Sequence, residues 1–92
     1  MKISFDPTKN LRNIEERNLP FSLVENFDFN TAQIKIDNRI DYGEVRYVAI
    51  GLLNERVHVV CFKETDDGIR VISFRKANDR ETKRYAKFKT PD

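Results

Sequence analysis

Ser73, Arg75 and Lys76 close the run Ile69-Arg-Val-Ile-Ser-Phe-Arg75-Lys76, which alternates like a strand and passes after Ala77 into a basic, helix-like segment. A hydroxyl and two cations at one strand end suit an oxyanion ligand. A guanidinium forks onto two oxygens and stays charged, an ammonium adds a point charge, and a hydroxyl adds a donor. Residues 75–92 hold seven lysines and arginines against three acids, a net of +4, whereas residues 1–74 hold ten against twelve, a net of −2. The overall +2 therefore conceals a polarity, and a cationic strand end and helix on an acidic remainder imply a phosphate-bearing or strongly acidic partner. The bland alternatives are a solvated strand end at Arg75 and Lys76, a soluble outer face on helix 80–89, and a simple cap at Glu81.

Positioning these groups needs a particular set of elements. Lys2–Phe5 reads as a short edge strand, and Asp6-Pro7 as an N-cap followed by an N1 proline. Leu11 and Ile14 would give that first helix an apolar stripe, with Asn18 as its C-cap. Phe21, Val24 and Phe27 share a face of a short second helix. Ala32, Ile34 and Ile36 then alternate as a half-buried strand, and 37–44 is a polar loop in which Gly43 is free to take positive φ. Strands follow at 45–52, at 57–62, which is the most apolar and so central, and at 69–75. Asp67-Gly68 is the clearest type I′ hairpin signal. Asn78 and Glu81 have capping-box spacing, with Tyr85 and Phe88 forming the last helix's apolar ridge. The order β-α-α-β-β-β-β-α predicts an α+β fold, an antiparallel sheet packed on helices. Strict alternation along 69–75 puts Val71, Ser73 and Arg75 on the open face, with Ile72 and Phe74 against the helices.

Ninety-two residues, 39% hydrophobic and 35% charged, read as one domain (1–92) with a lean core. No stretch reaches the ~20 apolar residues of a membrane span, so no membrane association is expected. The single Cys61 excludes an intrachain disulfide and contributes to no metal cluster. No phosphate loop or cofactor motif is present, so neither a cofactor nor a metal is expected, and a cytoplasmic location is the natural reading.

Four motifs in order carry a family resemblance: Phe5-Asp6-Pro7-x-Lys9-Asn10-x-x-Asn13; Phe27-Asp28; Asp41-Tyr42-Gly43-Glu44-x-Arg46; and Arg70-Val-Ile-Ser73-x-Arg75-Lys76-Ala77 with Glu81 and Tyr85 beyond. From about Phe5 to Tyr85 the chain resembles the BrnT family, small bacterial toxins with a RelE-like ribonuclease fold. It departs from the usual pattern at Asn18-Leu19-Pro20 and at Phe74. The resemblance implies RNA cleavage that halts translation and growth. It also implies a BrnA-type ribbon-helix-helix antitoxin, a 2:2 heterotetramer with it, and repression of their operon.

Metal-free RNA scission uses the substrate's 2′-OH as nucleophile, so the protein must help remove its proton, neutralise the phosphorane-like transition state and protonate the leaving 5′-oxygen. Arg75 and Arg46 are the leading candidates for neutralisation, with Lys76 as a further cation and Ser73 as a phosphate donor. His58 would suit the base if it shares the open face, and otherwise reads as a packed core residue; Glu64, Glu44 and Tyr47 are alternatives. Arg70, Arg80, Lys83 and Arg84 are candidate RNA-binding cations. The 41–44 segment equally reads as a fixed loop, with Tyr42 packed and Glu44 paired to Arg46. A non-catalytic nucleic-acid-binding module and a protein-interaction domain remain as other classes. The first predicts salt-dependent binding with intact RNA; the second predicts a protein complex and no nucleic-acid affinity.

Overall fold

Strand β1 (Lys2–Phe5) ends where the Asp6 carboxylate accepts a hydrogen bond from the Thr8 N–H at 2.8 Å and opens helix α1 (Pro7–Arg17). Pro7 occupies a first-turn position where no N–H is needed, and Asn18 closes the helix in the left-handed region at φ 54°. The computed structural model describes residues 1–90. After α1 the chain forms a 3₁₀ turn (Phe21–Asn26) and crosses to the far edge of the sheet. There it starts β2 (Gln33–Ile36), then returns strand by strand through β3 (Tyr47–Leu53), β4 (Arg56–Thr65) and β5 (Gly68–Lys76). The strand order is β1-β5-β4-β3-β2. Because three successive antiparallel connections bring β5 back beside β1 in the same direction, that pair is parallel. The sheet is thus mixed, which corrects the wholly antiparallel expectation.

The turns exchange the roles the sequence suggested. Asn54 (φ 49°) and Glu55 (φ 67°) take the two left-handed positions of a type I′ turn between β3 and β4, whereas Asp66, Asp67 and Gly68 take none. Gly68 serves a different need: a Cβ there would collide with the Lys2 backbone where β1 pairs alongside. Gly43 does take positive φ, at 71°.

A bulge resets β5. Cys61 lies opposite Ser73 but Phe62 lies opposite Val71, so Ile72 is the extra residue. Ile69, Val71 and Phe74 consequently all face the 3₁₀ turn, packing with Leu19, Phe21, Val24 and Phe27. Val71 is therefore core and not a neighbour of Ser73, and Ile72 is half-buried at the bulge. Ser73 and Arg75 keep the opposite face.

Helix α1 is attached in an unexpected way. Its one buried residue is Asn13, while Leu11 is 61% exposed, so the Leu11/Ile14 stripe does not enter the core. The Asn13 amide donates to the carbonyls of Leu19 (2.7 Å) and Phe74 (3.0 Å), and Asn10 Oδ1 accepts from the Phe21 N–H at 2.9 Å. Polar fastening replaces an apolar stripe. β2 is an edge strand, and Ile34 and Ile36 stay 45% and 57% exposed rather than half-buried.

On the second face of the sheet, Tyr85 of helix α2 (Asp79–Lys89) and Ala77 just before it seal one end by packing with Ile50, Val57 and Val59. The Tyr85 hydroxyl donates to the Thr31 carbonyl at 3.2 Å, and Phe88 lies beside Tyr85 in the expected ridge, ring centroids 6.2 Å apart, but stays 48% exposed. Among the described residues no helix is long and apolar enough to cross a membrane.

Candidate nucleic-acid cleft

The part of the second face that α2 leaves open is a cleft of about 570 Å³. Val48, Ile50, Val59, Cys61 and Ser73 form its floor, the 37–39 loop one wall, and Glu81 and Arg84 of α2 the other. Arg75 reaches into it from the end of β5. The same capping box that starts α2 fixes this arginine: the Asn78 side chain accepts from the Glu81 N–H (2.8 Å), and the Glu81 carboxylate accepts from the Asn78 N–H (3.0 Å). That carboxylate then accepts both Arg75 Nη groups at 2.8 Å. The Arg75 guanidinium pulls the Glu81 pKa down to about 2, and Glu81 raises that of Arg75. Glu81 is therefore both a cap and the holder of Arg75.

The facing wall repeats the device. Asp37, with a side chain only 1% exposed, accepts Nε and Nη2 of Arg39 at 2.8 Å each. Its pKa lies far below the usual carboxylate range, first because of Arg39 and further because Tyr42 donates its hydroxyl at 3.2 Å. Cys61 lies between the walls with Sγ 3.9 Å from Asp37 Oδ2, and burial raises its thiol pKa. At neutral pH the walls are ionised pairs and the floor is neutral. Such a cleft offers fixed guanidinium groups with outward N–H donors, suited to an anion that forms or grows there.

The sequence candidates separate. Ser73 and Arg75 meet in the cleft, and Arg84 lines it. Arg46 does not: it lies in a neighbouring basin, paired with Glu44 at 2.9 Å and stacked on Tyr42 at 4.0 Å, as the fixed-loop reading of 41–44 expects. Arg70 lines that basin too, and Lys63 completes the loop's pairing with Glu44 at 3.2 Å. His58 is buried on the face of the 3₁₀ turn, its ring 5.4 Å from Phe74 and its Nδ1 2.8 Å from the Arg56 carbonyl. It does not share the open face, so the condition for its role as base is unmet; desolvation lowers its pKa and keeps it neutral. Glu64 is on that same face, accepting from the Tyr47 hydroxyl at 3.0 Å, and Lys76, which pairs with His58, follows it. Arg80 and Lys83 are exposed on α2 outside the cleft lining. The residues missed in the sequence are Asp37 and Arg39, whose two-residue spacing inside a polar loop gave too weak a signal. Among the described residues no three His, Cys, Asp or Glu side chains gather as a metal site.

Residues 5–81 match the family described as ribonuclease toxin, BrnT, of type II toxin-antitoxin system. The chain belongs to the BrnT family. Membership makes it a ribonuclease toxin and implies an RNA target and an antitoxin partner. No curated protein matches the chain. The BrnT match takes in the 37–39 wall, Ser73 and Arg75, and ends at Glu81, the carboxylate that holds Arg75, leaving Arg84 beyond it.

Proposed function

We propose that this chain, a single-domain toxin of RelE-like fold, cuts RNA in the cleft between α2 and the 37–39 loop without a metal ion. The substrate's 2′-oxygen attacks the adjacent phosphorus as its proton leaves. The phosphorus–O5′ bond breaks, and a proton reaches the departing 5′-oxygen. The products are a 2′,3′-cyclic phosphate and a 5′-hydroxyl. One observation carries this reading: Arg75, immobilised by Glu81, shares a cavity with Ser73, Arg84 and the Arg39–Asp37 pair. These donors stand in place before charge develops on the phosphorane, so little reorganisation opposes their effect. No general base is assigned, since His58 and Glu64 occupy the other face. Electrostatic stabilisation and alignment of the 2′-OH carry the rate.

The partner in this reading is a BrnA-type ribbon-helix-helix antitoxin in a 2:2 complex, acting in the cytoplasm. An acidic antitoxin segment over the cationic cleft would inhibit by occlusion.

The test is purified toxin with RNA in excess chelator, with end-group analysis of the fragments. Cleavage leaving cyclic phosphate and 5′-hydroxyl ends, lost in Arg75→Ala, is the expected result. A requirement for divalent metal, or 5′-phosphate ends, would overturn the mechanism. Intact RNA that is bound in a salt-dependent manner would make the chain a non-catalytic binding module.

A further inference from the structure

Three concavities meet around the β5 bulge. The cleft shares Ser73 with a second hollow lined by Lys9, Arg12 and Arg17 of α1. That hollow in turn shares Ile72 and Lys9 with the basin of Arg46, Lys63 and Arg70. The path from Arg75 to Arg70 is therefore continuous, and cations line each of its three parts, with Asp37 and Glu81 also in the cleft and Asp6 and Glu44 also in the basin. Five residues of extended strand with one bulge span roughly 15 Å, since a strand rises ~3.3 Å per residue, which is room for a few nucleotides. On this path Arg46 and Lys63 are held by Glu44, and Arg17 lies against Glu16 and Asn13. Lys9, Arg12 and Arg70 have no ion-pair partner among the described residues. The hollow beside β1, lined by Met1, Ile3, Phe5 and Glu25, has Lys2 as its one cationic side chain, so the charge is not uniform over the surface.

We propose that this path is a phosphate track that holds single-stranded RNA flanking the scissile phosphate, with Lys9 and Arg12 of α1 and Arg70 of β5 as its contacts. The inference rests on the ribonuclease reading and adds a binding site apart from the reacting centre. The bulge suits the purpose, because it turns Ile72 out to half-exposure between the two basins and gives a base an apolar surface to lie on. Arg46 on Tyr42 provides a planar cation at the far end. On this view Arg46 belongs to substrate holding and not to bond breaking.

The experiment compares a four-nucleotide with a twelve-nucleotide RNA, both 2′-O-methylated and so uncleavable, by fluorescence anisotropy at several salt concentrations. A parallel arm incubates wild type with unmodified RNA. Wild type should bind the longer RNA more tightly. Lys9→Ala/Arg12→Ala should lower the log–log salt slope for it by about 1.4 and its affinity roughly tenfold, because each single-strand phosphate contact contributes about 0.7 to the slope. The long-to-short affinity ratio should then fall toward one, and Arg70→Ala should repeat the fall in a second, independently folded variant. A ratio unchanged in both variants would overturn the track, as would competition by polyglutamate peptide equal to that by RNA, which would assign the path to an acidic protein segment. Failure of wild type to cleave unmodified RNA would instead strike the ribonuclease reading, whatever the ratio.

Discussion

The two faces of the sheet are built by opposite rules. The face toward the 3₁₀ turn is closed by interlocking apolar groups, with Val24 and Val60 at 0%, Phe74 at 1% and Phe21 at 2% exposure. The face toward α2 is packed under Tyr85, and its open part carries Arg39 and Arg75, each bound to a carboxylate, beside Arg84. Ionic pairs at a surface add little net stability, because desolvation and side-chain ordering offset the Coulomb gain. The open face therefore has a purpose other than holding the fold: it keeps guanidinium groups rigid and directed into a cleft. In the proposed reading stability resides in one face and chemistry in the other, and a pair of substitutions can separate them.

Phe74→Ala should have the largest effect on stability. Removing a fully buried ring from a packed core costs about 3–5 kcal/mol, and a denaturant titration should show the midpoint collapse. One residue along on the other face, Arg75→Ala should lower the unfolding free energy from the same titration by at most about 1 kcal/mol, given a pair 39% exposed on the arginine side. Its cleavage rate should fall about 10²–10³-fold, the loss expected for one preorganised donor to a developing anion. An Arg75→Ala protein that unfolds as readily as Phe74→Ala would dissolve the distinction.

How much of this division the sequence shows depends on the residue. Asp6-Pro7, Asn18 and the Asn78/Glu81 box were readable because each satisfies a local backbone need at fixed spacing. The central position of β4 follows from its being the most apolar of the strands. Alternation sets Val71, Ser73 and Arg75 all on the open face; Ser73 and Arg75 lie there, but Val71 does not, since an extra residue at Ile72 obeys tertiary pairing that no period-two pattern contains. The parallel β1–β5 pair was likewise invisible, because it joins segments 66 residues apart, Lys2 with Gly68. The cleft was half legible. Arg75 stood out by charge, but Asp37 and Arg39 read as ordinary loop polarity until β3 brought that loop beside Cys61. His58 failed as a cleft residue for a simple reason: odd and even positions of β4 face opposite ways, and it falls with Val60 and Phe62.

Asn13 offers an intermediate test, being a polar group on the stability side. Asn13→Leu would leave the Leu19 and Phe74 carbonyls without their amide donor. A loss of about 1–3 kcal/mol in unfolding free energy by denaturant titration is expected, the usual penalty for buried groups left unpaired. No loss would mean that apolar packing, and not the amide, fastens α1 to β5.

The smallest effect sharpens the comparison most, because each face should leave its own mark on stability against pH. His58 has a lowered pKa in the folded protein because burial opposes its charging, so the unfolded chain takes up its proton first. Stability should therefore fall as pH drops below the ordinary imidazole value of 6.5. Glu81 behaves differently: held at about 2 against an ordinary 4.5, it contributes fully above 4.5, and that contribution is lost as pH falls toward 2. Asp37, depressed by Arg39, adds to the same lower window. Denaturant stabilities measured from pH 7.5 to 2.5 should show two separate declines. His58→Gln should flatten the upper one and leave the lower, while Glu81→Gln should weaken the lower one and leave the upper. A single decline removed by either substitution would mean that the two faces titrate as one coupled unit, and that the division between a closed face and a reactive face does not hold.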